Sequence, residues 1–251
     1  MQKLTAIIPV YNESLNIEEA LQSVSFADEI MVVDSYSTDN TLEKAKKYTS
    51  LILQHTFDYS SAQKNWAIEQ ATHEWILIVD ADERVTPELK SEIQEILKNP
   101  PRDISGYWIY RNNHFMGQKV KYSGWQNDKV VRLFRKSSCR YNNKMVHEEI
   151  ETAGKLAFLK HKLYHNTYKN LDDYLSKLKR YAYWQALDYD KTTPRLTFFH
   201  FAVKPVWRFF KHYIIQQGFR DGRVGFIISF LQSYALLLRY IKLWLYRKGL
   251  E

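Results

Sequence analysis

The stretch ILIVDADERV, Ile76 to Val85, opens on an apolar run and closes on three carboxylates, Asp80, Asp82 and Glu83. Such a run, bounded by polar residues, reads as a strand buried on both faces. In an extended chain alternate side chains share a face, so Asp80 and Asp82 are expected on one side and Ala81 on the other. Two hard oxygen donors spaced this way suit Mg²⁺ or Mn²⁺, which commonly bind through one or two carboxylates plus substrate phosphates. A plain polar cap on a strand end would use the same residues, so the rest of the chain has to decide.

Working outward, LTAIIPV, EIMVVDS and SLILQHTF repeat the short Ile/Val/Leu-rich pattern. Helical patterns lie between them. Ile17, Leu21 and Val24 recur at helix spacing, and STDNTLEKAKKY and SSAQKNWAIEQAT open on Ser/Thr/Asp cap residues. Thr86 is a predicted N-cap with Pro87 at the first helical position, and Leu89, Ile93, Ile96 and Leu97 form the stripe behind it. Strand–helix alternation predicts an α/β fold, a mostly parallel sheet with helices on both faces. Ligands of such sheets bind beyond the carboxyl ends of the strands. There the sequence places YNE, DSYSTDN and DADE.

Residues 1–100 are thus expected to form a ligand-binding half-domain. Residues 101–169 would complete the same domain as strands and loops around a pocket. A basic helical extension over 170–251 would follow, opened by an Asn170–Asp173 capping box with a stripe of Leu171, Leu175, Leu178 and Trp184. The 251-residue chain is 45% hydrophobic and 25% charged, as an ordinary globular protein is. Its single cysteine, Cys139, excludes an internal disulfide framework and a thiolate metal site. MQKLTAIIPV lacks the basic and long apolar regions of a signal peptide, so the expected location is the cytoplasm.

The segments AIIPVYNE, VVDSYSTDNT, AQKNWAIEQATHEWILIVDADE, GWQNDKVVRLFR and MVHEEI occur in an order and spacing that resemble family 2 glycosyltransferases. The nearest resemblance is to bacterial enzymes that add a hexose to the lipopolysaccharide inner core, and it covers about the first 170 residues. It implies a GT-A fold, a nucleotide-diphosphate sugar bound through Mg²⁺ or Mn²⁺, and inversion at the anomeric carbon.

By the same resemblance Pro9, Tyr11, Asn12 and Glu13 line the nucleotide pocket, and Asp34 receives the uracil or ribose. Lys64, standing where relatives often carry arginine, contacts the nucleotide. Asp80 holds the ribose or the metal's outer shell, Asp82 the metal, and His165 completes the metal shell or is a structural histidine. Glu148 in VHEE is the implied catalytic base, with Glu149 as the neighbour that would displace it, and His147 orients the base or is a surface group. Trp125 and Asp128 fall where relatives contact donor sugar or acceptor, although Trp125 equally suits a core. Arg132 faces the diphosphate or pairs with an acid.

All the net charge of +8 belongs to the last quarter of the chain, where residues 195–251 hold ten Lys/Arg against two Asp/Glu. The longest charge-free run there, Val224–Leu238, has 15 residues, about 22 Å of helix against a hydrocarbon core of about 30 Å. The expectation is therefore not a spanning helix but amphipathic helices on an anionic membrane surface, with Trp207, Phe209, Phe210 and Trp244 at the headgroups. Packing on the catalytic domain or a second subunit is the alternative. A glycolipid or oligosaccharide acceptor would make docking on the inner face of the cytoplasmic membrane useful. Competing readings are a polyprenyl-phosphate glycosyltransferase and a non-catalytic nucleotide- or membrane-binding protein of the same fold. Nucleic-acid binding is disfavoured by the balanced charge of residues 1–194 and the apolar content of the tail.

Overall fold

The protein is described here from a computed structural model over residues 1–142, 149–168 and 170–250. Its chain divides into two compact units, Met1–Asn112 with Asp128–His165, and Asn113–Asn127 with Asn166–Glu251.

The first unit starts as the sequence predicts. Strand β1 (Leu4–Val10) leads to helix α1 (Ile17–Ser23), β2 (Glu29–Asp34) to α2 (Thr41–Ala45), and β3 (Ile52–Gln54) to α3 (Ser60–Gln70). Then come β4 (Trp75–Ile78), the two-residue β5 (Glu83–Arg84) and α4 (Pro87–Lys98). The central strands run parallel in the order β3-β2-β1-β4. Beyond β4 the sheet becomes mixed. Strand β6 (Ile104–Phe115) is followed by β7 (Gln118–Lys119), which belongs to the second unit, and β8 (Lys129–Arg135) inserts antiparallel between β4 and β6. A hairpin of β9 (Cys139–Tyr141) and β10 (Ile150–Thr152) stands apart, while β11 (Lys155–Phe158) adds to β6. Finally β12 (Leu163–Asn166) pairs antiparallel with β5.

Two apolar layers explain why these strands have no polar face. Ala6, Ile8 and Val10 of β1 join Leu77, Ile17 and Leu21 of α1, and Leu89 and Ile93 of α4 in one cluster. Ile7, next to them in sequence, joins Ile76, Ile78, Met31 and Ala67 and Ile68 of α3 in the other. The period-two alternation of a strand thus feeds a core on each face. Each fully buried Ile or Leu contributes roughly 1.5–3 kcal/mol by leaving water.

The caps are less uniform than expected. Neither α2 nor α3 has a side-chain cap bond, and α2 is a five-residue turn. Thr86 does cap α4, its Oγ1 accepting from Leu89 N–H at 3.2 Å with Pro87 in the first turn. Because α4 covers the layer that carries β1 and β4, its first turn matters. Thr86→Ala is expected to cost about 1 kcal/mol, read as a lower urea midpoint at unchanged m-value. An unshifted midpoint would show that the cap contributes nothing.

In the second unit helix α5 (Leu171–Asp190) opens on the expected box: Asn170 Oδ1 accepts from Asp173 N–H at 2.8 Å and its amide donates back to the Asp173 carboxylate at 2.6 Å. A π-helical turn (Phe199–Val203) runs into α6 (Lys204–Phe210) and a second π-helical turn (Lys211–Ile215). A short 3₁₀ turn (Gly218–Asp221) precedes the long helix α7 (Gly222–Arg247). Helix α7 is 26 residues, about 39 Å at 1.5 Å per residue, so the charge-free run understates its length. The helical stretch Gly218–Arg247 is long and apolar enough to cross a membrane, although a third of its most apolar window is buried inside the unit. Residues 113–127, expected with the catalytic half, belong to this unit. The Asp221 carboxylate accepts from the N–H groups of Lys121 at 3.0 Å and Tyr122 at 2.8 Å.

Candidate active site

Parallel pairing sets the carboxyl ends of β1, β2 and β4 side by side, with Val10 opposite Asp34 and Ile7 opposite Ile78. The polar segments that follow β1 and β2 are sewn together by their own hydrogen bonds. Asn12 N–H donates to Ser37 Oγ at 2.9 Å, Thr38 N–H donates to Asn12 Oδ1 at 2.8 Å, and Glu13 N–H donates to Thr41 Oγ1 at 2.8 Å. Asp34 is buried, its carboxylate accepting from Ser37 N–H at 3.1 Å and from the Gln54 amide at 3.1 Å. Pro9 is half-buried at the end of β1, and the Glu13 carboxylate accepts from Asn16 at 2.6 Å. Tyr11 and Tyr36 stand out of these two loops, 57% and 55% exposed. Asn12 and Tyr36 both adopt positive φ, 54° and 60°. Asn tolerates that region readily and Tyr does so rarely, so the Tyr36 loop is held against its local preference.

After β4 the chain departs from the expected alternation. The strand ends at Ile78, and Asp80 to Asp82 form a turn closed by Glu83 N–H to the Asp80 carbonyl at 2.8 Å. Asp80 and Asp82 therefore do not project together from a strand. The cause is Glu83, whose side chain is 0% exposed and whose carboxylate accepts from Asp80 N–H at 3.0 Å, curling the backbone over itself.

Around that turn lies a ladder of ion pairs. Asp80 meets Lys64 Nζ at 3.3 Å on one oxygen and the Arg132 guanidinium on the other. Arg132, 3% exposed, also reaches Glu83 at 2.9 Å. Arg111 reaches Glu83 at 2.7 Å and Asp128 at 3.4 Å. Burial opposes ionisation of Glu83, but the guanidiniums of Arg132 and Arg111 outweigh it and hold the carboxyl below its ordinary value. Asp80 obeys the same balance: burial opposes its charge, while Arg132, then Lys64 and Arg111, hold it far below. Arg132 is raised in turn by Asp80 and Glu83 against the cost of its own burial. Asp80, Glu83, Arg111 and Arg132 thus hold one another in their charged forms.

Among the described residues Asp82 pairs with none of those cations. Pairing of β12 with β5 sets His165 opposite Glu83, and the His165 Nε2 stands 3.5 Å from Asp82 Oδ2. One carboxylate and one imidazole make an incomplete shell for a divalent ion, suited to a cation whose other ligands come from substrate phosphate and water. Among the described residues no group of three His, Cys, Asp or Glu converges as a self-sufficient metal site. The donor set therefore fits a cation that arrives with a phosphorylated substrate.

Glu148 and His147 lie outside the described residues. Their flanks are described. Asn142 and Glu149 are joined by Asn142 N–H to the Glu149 carbonyl at 2.9 Å, and the Tyr141 ring lies 5.4 Å from Lys64 Nζ. Glu149 itself is exposed. Trp125 belongs to the second unit, where it is partly buried and packs edge-on to Phe115 at 6.3 Å against the cluster of Val120 and Tyr174. Arg132 pairs with acids. Asp128 pairs with Arg111.

Sequence reading passed over Glu83 and Arg111. Arg111 had a signal: Tyr107 and Ile109 of β6 face the core, and period two puts Arg111 next on that side. A cation extending a core face asks for a buried acid, and Glu83, with no exposed surface, supplies it at 2.7 Å.

The sequence profile described as Glycosyl transferase family 2 matches residues 5–166, from the first strand to just past His165. The chain belongs to glycosyl transferase family 2. Full-length relatives agree. A glycosyltransferase of Rickettsia felis is 30% identical over 97% of this chain and 90% of its own length. A lipopolysaccharide core biosynthesis glycosyltransferase of Rhizobium meliloti is 26% identical over 96% of this chain and 92% of its own. Among solved structures, glucosyl-3-phosphoglycerate synthase of Mycobacterium tuberculosis with Mn²⁺, UDP-glucose and phosphoglyceric acid is 17% identical over 45% of this chain and 44% of that one, with a TM-score of 0.37. In this family 2 glycosyltransferase the profile takes in the β1, β2 and β4 ends, the ion-pair ladder and the Asp82–His165 pair, and stops before α5.

Proposed function

We propose that this family 2 glycosyltransferase moves a hexose, with inversion, from a UDP-hexose to a membrane-associated glycan acceptor such as lipopolysaccharide core. The approach of Asp82 to His165 at 3.5 Å, beside an Asp80 clasped by Lys64 and Arg132, carries the reading. Asp82 and His165 would hold Mg²⁺ or Mn²⁺, which when bound neutralises charge gathering on the departing diphosphate. The remaining work falls to the chain. Lys64, held by Asp80, supplies fixed positive charge next to that diphosphate. The joined loops after β1 and β2 seat the nucleoside between Tyr11, Asn12, Glu13 and Asp34. Glu148 takes the proton from the acceptor hydroxyl as it attacks the anomeric carbon from the face opposite the leaving group. Glu149 is the substitute base if Glu148 is not.

The acceptor class is supported by full-length similarity to the Rhizobium meliloti core-biosynthesis enzyme. A surface in the second unit supports a lipid-borne acceptor. Phe198 and Val206, 79% and 69% exposed, with Trp207 and Phe210, leave large apolar groups in water among Lys and Arg. This composition suits a peripheral protein on the inner face of the cytoplasmic membrane.

Radiolabelled UDP-hexoses incubated with truncated core glycolipid test the reading. Wild type should label the glycolipid in an acid-stable linkage, and Glu148→Gln should bind donor normally but transfer about 10²-fold more slowly or worse. Label that appears only in a mild-acid-labile polyprenyl lipid would replace the acceptor. Near-normal transfer by Glu148→Gln would move the base elsewhere.

A further inference from the structure

Helix α6 presents an apolar face to solvent instead of to the protein. Val203, Val206, Trp207 and Phe210 recur at helix spacing and all four are exposed. Lys204 and Arg208, one turn apart, flank that stripe. Behind them, on α7, Arg239 is buried.

These three cations meet around two tyrosines. Lys204 Nζ donates to the Tyr240 hydroxyl at 2.8 Å and lies 5.0 Å from the Tyr240 ring centre. The Arg239 guanidinium lies 4.0 Å from the Tyr189 ring centre and 5.0 Å from that of Tyr240. One Arg239 nitrogen donates to Gln185 at 3.3 Å, while its Nε has no hydrogen-bond partner among the described residues. Among the described residues none of the three pairs with a carboxylate, and neither α6 nor α7 contains an Asp or Glu. Arg111, Arg132, Arg84 and Arg247, by contrast, each have an acidic partner. Burial and the neighbouring Arg239 both lower the Arg208 guanidinium, as adjacent cations without a counter-ion require.

Like charges gathered without an anion under an apolar stripe have one complementary ligand: a phosphate attached to something that enters the same surface. We propose that Lys204, Arg208 and Arg239 bind the headgroup phosphate of an anionic membrane lipid, with the Val203–Phe210 stripe lying among its acyl chains. The site rests on the membrane reading above and narrows it to a specific contact. It places the glycolipid-facing enzyme at the bilayer through a phosphate clamp rather than through diffuse charge. The tyrosine rings keep the cations extended while no lipid is bound, by cation–π attraction.

The test is co-sedimentation of the full chain with vesicles of phosphatidylglycerol or of phosphatidylcholine at fixed ionic strength. Wild type should prefer phosphatidylglycerol. Lys204→Gln with Arg208→Gln should lower that binding roughly 30-fold, at about one kcal/mol for each cation lost, and leave phosphatidylcholine binding unchanged. Arg208→Gln alone removes a side chain that makes no ion pair among the described residues, so it guards against loss of fold and should give an intermediate effect. Unaltered phosphatidylglycerol binding by both variants would overturn the site while leaving the membrane reading intact. Failure of wild type to bind either vesicle would overturn both. A rise in melting temperature with inorganic phosphate over chloride, lost in Arg208→Gln and without vesicle preference, would assign the site to a soluble anion and overturn the lipid proposal.

Discussion

Glu83→Gln is expected to destabilise the protein by about 3–5 kcal/mol, the range for breaking a buried ion pair by removing one partner. Glu83 has no exposed surface, and it balances Arg132 at 2.9 Å and Arg111 at 2.7 Å. An amide of the same shape still accepts a hydrogen bond, but leaves the buried Arg132 and the partly buried Arg111 to share Asp80 and Asp128. The same replacement should flatten the acid limb of stability. Glu83 and Asp80 are held below their ordinary values by Arg132, so folding favours their ionised forms. That contribution is complete above the unfolded carboxylate value of about 4 and is lost as the pH falls toward the depressed folded values. Urea titrations at neutral pH and at about pH 3, below the unfolded carboxylate value, measure both effects. A Glu83→Gln midpoint within about 1 kcal/mol of wild type at neutral pH would mean the ladder is not what shapes the turn after β4.

How far the sequence foretold this arrangement depends on which interactions built each part. Strands β1, β2 and β4 and helices α1 and α4 were legible because burial on both faces leaves an unmistakable apolar pattern, as Ile7 and Ile8 illustrate by entering opposite clusters. The strand-end polar segments were legible for the same reason, since only a parallel sheet collects them at one edge. The turn at Asp80 was not. Alternation predicts a shared face for Asp80 and Asp82, and it fails because Glu83 reaches back to Asp80 N–H and draws Arg111 from β6 and Arg132 from β8. Those partners lie 28 and 49 residues away, so no local pattern announces them. Asp82 and His165 are farther apart still, and it is the β5–β12 register that joins them. The length of α7 was hidden by Arg239 and Lys242, which interrupt the apolar run without interrupting the helix.

Asp82, with His165, is proposed as the cation-dependent donor site. Calorimetric titration of UDP and of GDP, each with and without Mn²⁺, into wild type and Asp82→Ala tests it most directly. UDP binding that requires Mn²⁺ in the wild type and disappears in a folded Asp82→Ala variant is the predicted result. Equal UDP affinity in both proteins, or affinity indifferent to Mn²⁺, would contradict it.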